Sequence, residues 1–363
     1  MEQLQQLMSM MNAGCSALSW KTQDGKHLWG RNMDFNRLAQ GSKISFIPRG
    51  TSYHMRGTTM ENNLREQERR TSAYSAVGTG FLMIPSTPVL YEGINEKGLM
   101  GGQLYYREFA YFEQQVREGT TALLPPFVVY HMLAQCDSVQ QVVDTLQQQV
   151  TLLHEPMLGT VPSLHWAFSD STGEMAVIEP DVDGLHIYRS TVGVMTNSPG
   201  YPWHRTNLLN YVGLRDLDYD EWELEDNRLS QCFSGSGMQG LPGDWSSPSR
   251  FVRLAMLKKF GVKGQDEAHG VANMMHLFQS AAFPNGMVRV SQEGHLTEYD
   301  VEVIPYDYTI YTSVMCAESK RFYWTSYENQ RVQYVDLEQL KFRQPVQFEL
   351  GREPDFLCVT PQE

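Results

Sequence analysis

CSALSWKTQDGKHLWGRNMDF, residues 15–35, holds two apolar-rich runs, 15–22 and 27–34, joined by Gln23-Asp24-Gly25-Lys26. Asp-Gly between two such runs is the signature of a two-residue hairpin turn, because Gly adopts a left-handed backbone without steric cost. A turn at Asp24-Gly25 pairs residues whose numbers sum to 49 and so sets Cys15 opposite Asp34. A thiol at a strand end then faces a carboxylate within side-chain reach. Arg31 lies three residues before Asp34. Strict alternation sends those two side chains to opposite faces, so both could meet Cys15 only through a bulge or strong twist.

Working outward, the pattern stays rich in strand. Residues 164–169, 174–179, 185–189 and 192–196 read as a meander, with turns at Asp170-Ser171-Thr172-Gly173 and Asp181-Val182-Asp183-Gly184. Further strand-like runs cover 286–290, 300–304, 308–313, 321–326 and 331–335. Four helices are predicted. One covers 127–135, after Pro125-Pro126; one starts near Asp137-Ser138, with Val142, Val143 and Leu146 at helical spacing. A third covers 250–260, capped by Ser249 or Ser247 and stopped by Gly261, and a fourth covers 267–281. Antiparallel meanders with grouped helices indicate an α+β fold with helices packed on sheet faces. No repeat, low-complexity linker or composition break divides the 363 residues, so one domain is expected.

Composition narrows the function. A formal net charge of −13 argues against nucleic acid or an anionic membrane as partner, since both reward a basic surface. No run of eighteen apolar residues suits a membrane span. The opening MEQLQQLMSMMNAG lacks the basic and apolar regions of a secretory signal. Five widely spaced cysteines (Cys15, Cys136, Cys232, Cys316, Cys358) with no CxxC read as reduced thiols, which makes the cytoplasm the expected location. Ten scattered His, no HExxH and no Cys/His cluster give no reason to expect a metal. Gly235-x-Gly237-x-x-Gly240 matches a dinucleotide fingerprint by letters, but SQCFS precedes it where a strand should end and Leu241-Pro242-Gly243 follows where a helix should begin. No cofactor is expected.

Six segments carry a family resemblance: CSALSWKTQDGKHLWGRNMDF, PSTPVLYEGINEKGLMGGQLYY, HWAFSDSTGEMAVIEPD, GVMTNSPGYPWH, LPGDWSSPSRFVR and DYTIYTSVMCAESKRFYW. They resemble the choloylglycine hydrolase family of N-terminal nucleophile hydrolases, and look most similar to the penicillin V acylases of Gram-positive bacteria, with the bile salt hydrolases as sister group. The resemblance implies a four-layer αββα sandwich, two stacked antiparallel sheets flanked by helices. It implies that residues 1–14 are a leader removed by autoproteolysis and that 15–363 form a single amidase domain, assembled as a homotetramer. Many relatives lose only the initiator Met or a few residues, whereas fourteen precede Cys15 here. The family's nucleophile falls on Cys15, its strand-two arginine and aspartate on Arg31 and Asp34, its oxyanion asparagine on Asn197, and its later arginine on Arg250. Its variable oxyanion position falls on Tyr105, where bile salt hydrolases usually carry Asn and penicillin V acylases Tyr.

Amide hydrolysis needs a nucleophile, a base and donors for the oxyanion. A terminal Cys supplies the first two, because an α-amine with a pKa near ~8 can take the thiol proton. Under the resemblance, Arg31 favours the thiolate, Asp34 orients the α-amine, Asn197 and the Tyr105 backbone N–H bind the oxyanion, and Arg250 supports the polar network. The expected substrate is a small N-acyl amide with an apolar acyl group, penicillin V first, with conjugated bile salts and acyl homoserine lactones as alternatives. A binding protein without catalysis on the same fold is the rival from another class, and would follow if the leader were retained.

Overall fold

The computed structural model describes residues 14–39, 41–57, 66–82, 87–156, 161–289 and 305–360. Two antiparallel sheets dominate. The first contains β1 (Gly14–Lys21), β2 (His27–Phe35), β10 (Val194–Met195), β11 (Val288–Arg289), β12 (Tyr306–Cys316), β13 (Arg321–Ser326) and β14 (Gln333–Asp336), in the order β10-β1-β2-β12-β13-β14 with β11 also on β12. The second contains β3 (Lys43–Ile47), β4 (Ala76–Phe81), β5 (Val89–Asn95), β6 (Met100–Tyr105), β7 (Leu164–Ser169), β8 (Met175–Asp181), β9 (Gly184–Tyr188) and β15 (Val346–Phe348), in the order β9-β8-β7-β6-β5-β4-β3-β15. The sheets stack face to face. A side chain at Gly102 of β6 would come within 2.8 Å of the Trp29 ring of β2, so the absence of a Cβ there lets the indole fill the gap.

Helices cover the two outer faces. α1 (Val128–Gln135) and α2 (Val139–Gln148) pack on the second sheet; α4 (Ser247–Phe260) and α5 (Glu267–Ala281) pack on the first, and α3 (Tyr201–Asn207) leans on α4. This is the expected αββα sandwich. The Ser138 side chain caps α2 by accepting from Gln141 N, as the sequence predicts, and Asp266 caps α5 by accepting from His269 N. α4 differs from expectation. It begins at Ser247 with Ser246 as N-cap, because Pro248 lacks an N–H and its fixed φ suits a first helical turn. Gly261 ends α4 at φ −59°, not in the left-handed region, and its value there is small size: a Cβ would stand 2.6 Å from the Leu257 carbonyl oxygen. α3 is a helix the sequence reading missed.

Two strand expectations also need correction. The fourth strand of the meander leaves it: Val194–Met195 crosses to the first sheet and pairs with β1, Ala17 opposite Met195. Gly193, at φ +72°, turns the chain there, and its carbonyl accepts from Ser19 N at 2.9 Å. Of the runs at 286–290 and 300–304, only Val288–Arg289 is seen as strand; residue 290 and 300–304 lie outside the described residues.

The β1–β2 turn has three residues rather than two. Thr22 N donates to Lys26 O at 2.9 Å, Gly25 N donates to Thr22 O at 3.2 Å, and Gly25 sits at φ +92°. A three-residue loop closed by a left-handed Gly moves the register by one. Gly14 therefore pairs with Asp34, Cys15 with Met33 and Ala17 with Arg31. The expected Cys15–Asp34 pairing does not occur.

Candidate active site

Cross-strand partners share a face. The register thus puts Cys15, Ala17, Arg31 and Met33 on one face of the β1–β2 ribbon and Ser16, Asn32 and Asp34 on the other. Arg31 and Cys15 meet without any bulge. Arg31 is fully buried between the sheets, and its Nη2 donates to the Cys15 sulfur. Nη1 reaches the second sheet, donating to the Gln103 carbonyl at 2.8 Å and to Glu92 Oε2 at 3.2 Å.

Asp34 stands on the opposite face, beside the backbone that precedes Cys15. A Cβ on Gly14 would lie 3.1 Å from the Asp34 carbonyl oxygen and 3.6 Å from its Cβ. Asp34 Oδ1 accepts from the Thr309 hydroxyl, and Oδ2 lies 3.9 Å from Arg250 Nη1. A register shift does occur, in β12 between Thr309 and Tyr311, and it sets Thr309 opposite Asp34 while Tyr311 faces Met33.

The main chain of Cys15 is held as firmly as its sulfur. Its N–H donates to Asn197 Oδ1 at 3.0 Å, and its carbonyl accepts from Arg250 Nη1 at 2.5 Å. Arg250, in the first turn of α4, also donates to Ser16 Oγ at 2.7 Å and to Asn197 Oδ1 at 2.7 Å. Asn197 arrives because β10 crosses to pair with β1. Its Nδ2 donates to the Tyr105 carbonyl at 2.8 Å, and its own carbonyl accepts from His204 Nε2 at 2.9 Å. All six residues singled out in the sequence thus meet at one place. Tyr105, at the end of β6, presents its carbonyl, rather than its N–H, to Asn197.

Burial dominates the electrostatics. It pushes the Cys15 thiol up to about 12, against the pull of Arg31, while the Asp34 charge adds to the rise. Burial also raises the Asp34 carboxyl, opposed by Arg250, by the Thr309 hydroxyl and by Arg31. With Gly14 still attached, the thiol is held protonated at neutral pH. Glu92 was missed in the sequence reading. A carboxylate inside the apolar run VLYEGIN was the available signal, since charged groups are rarely buried in a sheet without a partner.

Cys15 and Arg31 lie at a cleft lined by Met33, Phe35, Leu38, Tyr105 and Leu164 that is nearly filled by its own side chains, with about 20 Å³ of free space. The apolar part of that lining is of the kind that packs an acyl group, which would enter by displacing these side chains. Among the described residues Asp181, Asp183 and His186 have donor atoms within 4.8 Å of one another. They lie at the β8–β9 turn, and are already engaged by an Asp183–His186 contact of 2.8 Å and a Tyr106–Asp181 hydrogen bond of 2.8 Å.

Comparison with known proteins decides the family. The family model described as linear amide C-N hydrolases, choloylglycine hydrolase family, matches residues 15–348, starting on Cys15 itself. The chain belongs to the choloylglycine hydrolase family. A bile salt hydrolase/transferase of Clostridium perfringens is 31% identical over 325 residues, 89% of this chain and 92% of that protein. Solved structures of a cysteine-to-alanine mutant and an arginine-to-leucine variant of the conjugated bile acid hydrolase from Clostridium perfringens superpose with TM-score 0.83 at 29% identity, over 95% of this chain and 100% of theirs. A penicillin V acylase of Pectobacterium atrosepticum is more distant, 23% identical over 69% of this chain and 62% of its own length. The choloylglycine hydrolase fold and an amidohydrolase activity on linear amides follow.

Proposed function

We propose that this choloylglycine hydrolase family member cleaves the amide of conjugated bile salts, with Cys15 as nucleophile once residues 1–14 are removed by autoproteolysis. The observation that carries the reading is the grip on Cys15: Arg31 on the sulfur, Asn197 on the nitrogen, Arg250 on the carbonyl. The bile salt relative supports the substrate, being more similar and more fully covered than the penicillin V acylase. The mutated cysteine and arginine of the Clostridium perfringens structures lie sixteen positions apart, the spacing of Cys15 and Arg31.

In this mechanism the released α-amine of Cys15 takes the thiol proton, and the thiolate beside Arg31 attacks the substrate carbonyl carbon. Asn197 Nδ2 exchanges its bond to the Tyr105 carbonyl for one to the new oxyanion, joined by the Tyr105 N–H. Collapse breaks the C–N bond, and the leaving amine takes the proton from the α-ammonium. Water, deprotonated by the same α-amine, then attacks the thioester and releases acid and thiol. Asp34 orients the α-amine, and Arg250 fixes the Cys15 carbonyl.

The test is hydrolysis of glycocholate and penicillin V side by side. A higher kcat/KM for glycocholate, lost in Cys15→Ser, is expected. A higher value for penicillin V would turn the choice to the second reading, which rests on Tyr105 at the position where penicillin V acylases carry Tyr. Protein that begins at Cys15 and hydrolyses neither would favour the binding-protein rival. We also place the enzyme in the cytoplasm and propose a homotetramer; among the described residues no helix is long and apolar enough to cross a membrane.

A further inference from the structure

One fully buried carboxylate has no part in that mechanism. Glu92 lies mid-way along β5, and neither it nor Arg31 exposes any side-chain surface. Its Oε2 accepts from Arg31 Nη1 at 3.2 Å and from the Tyr311 hydroxyl at 2.9 Å, and its Oε1 accepts from Ser313 Oγ at 3.4 Å. Taking a carboxylate and a guanidinium out of water carries a large desolvation cost, and packed apolar residues would avoid it. Stability is therefore a poor account of this pair.

Geometry gives a better one. Arg31 comes from the first sheet and Glu92 from the second, so their ion pair spans the inter-sheet gap. A guanidinium is planar and rigid, so fixing one nitrogen fixes where the others point. Glu92 and the Gln103 carbonyl hold Nη1; Nη2 of the same group meets the Cys15 sulfur. Behind Glu92, Tyr311 and Ser313 of β12 return the network to the first sheet.

We propose that Glu92 is a positioning residue for amide hydrolysis, anchoring Arg31 across the gap so that Nη2 rests on the Cys15 thiol, and offsetting part of the arginine's charge there. The proposal rests on the reading of Cys15 as nucleophile. Removing the Glu92 charge leaves Arg31 less neutralised, so the thiol ionises at lower pH. A thiolate formed more readily is a weaker nucleophile, and one whose partner is less firmly oriented reacts more slowly.

The experiment measures the pH dependence of Cys15 alkylation by iodoacetamide in the purified mature enzyme, located by peptide mass, together with kcat and KM for glycocholate. Glu92→Gln keeps the shape and loses the charge. It is expected to lower the alkylation midpoint by about one pH unit and kcat by about tenfold, with KM within about twofold. In an Arg31→Ala background the same change is expected to move neither quantity. Folded Glu92→Gln with the wild-type midpoint and wild-type kcat would overturn the proposal, as would an undiminished effect without Arg31. Should Glu92→Gln fail to fold, Tyr311→Phe removes one donor from Glu92 and favours its neutral form; a smaller shift in the same direction supports the proposal, and wild-type values for midpoint and kcat overturn it. The midpoint is read without substrate, so a wrong choice of substrate leaves it intact. A wrong nucleophile shows itself separately, as activity that survives full alkylation of Cys15.

Discussion

Cys15 is approached from two sides by residues of different duty. Arg31 shares the thiol's face of the ribbon, while Asp34 stands on the other face, opposite Gly14, the residue that precedes Cys15. The sequence placed both near Cys15 but gave Asp34 the wrong side. Their substitutions should therefore separate. Arg31→Ala is expected to raise the pH at which Cys15 is alkylated and to cut kcat by about a hundredfold or more. Asp34→Ala is expected to cut kcat comparably but to lower the alkylation midpoint, the opposite direction to Arg31→Ala, since the Asp34 charge adds to the rise of the thiol. The two profiles, taken on mature protein, check this. Equal shifts in both variants would erase the division of labour. Glu92 escaped the sequence reading for a physical reason: its role depends on which strand of the other sheet faces β2, and no local pattern encodes that.

At the scale of elements, legibility followed the range of the interaction that fixes each piece. Helix α5 and strand β13 were read to the residue, because their boundaries are set by neighbours in sequence such as the Asp266 cap. The hairpin was recognised as a hairpin, yet its register was misread by one, because Asp24-Gly25 is compatible with a two- or a three-residue loop and only Thr22 N bonding to Lys26 O distinguishes them. The departure of β10 from its meander, which carries Asn197 to Cys15, is a long-range pairing with β1 and left no local mark. β12 offers a pH-dependent test. Asp307 Oδ1 is buried without a hydrogen-bond partner among the described residues, and burial, with the Asp34 charge adding, pushes the carboxyl up from 3.8 to about 7. Its folded pKa lies above the unfolded one, so its ionisation costs stability progressively as pH rises through that window, and the cost is complete above pH 7. Asp307→Asn is expected to raise the melting temperature at pH 8 by about 2–4 °C and to change it little at pH 4. Thermal scans at the two pH values measure this, and an equal change at both would show that ionisation is not the cause.

Across the whole molecule, the stacked sheets bring six residues together around Cys15, of which Cys15, Arg31 and Tyr105 line the cleft, and the family resemblance carried by separated segments made that convergence legible. One region stands outside the sandwich. The segment from α3 to Phe233, with a hairpin of Trp222–Leu224 and Asn227–Leu229, exposes Leu209, Val212, Leu217, Trp222 and Phe233. So much apolar surface on one arm favours burial against another copy. Sedimentation is expected to give a homotetramer, and Trp222→Asp with Leu217→Asp smaller species; a wild-type monomer would contradict that assembly.

In the proposed mechanism catalysis begins at a free Cys15 terminus. Its most direct test is the mass of the N-terminal peptide from active enzyme, acid-quenched during turnover of glycocholate. A peptide beginning Cys-Ser-Ala-Leu-Ser is expected, a fraction of which carries the cholyl group as a thioester on Cys15. Fully active protein that still begins at Met1, with Cys15 never acylated, would contradict it.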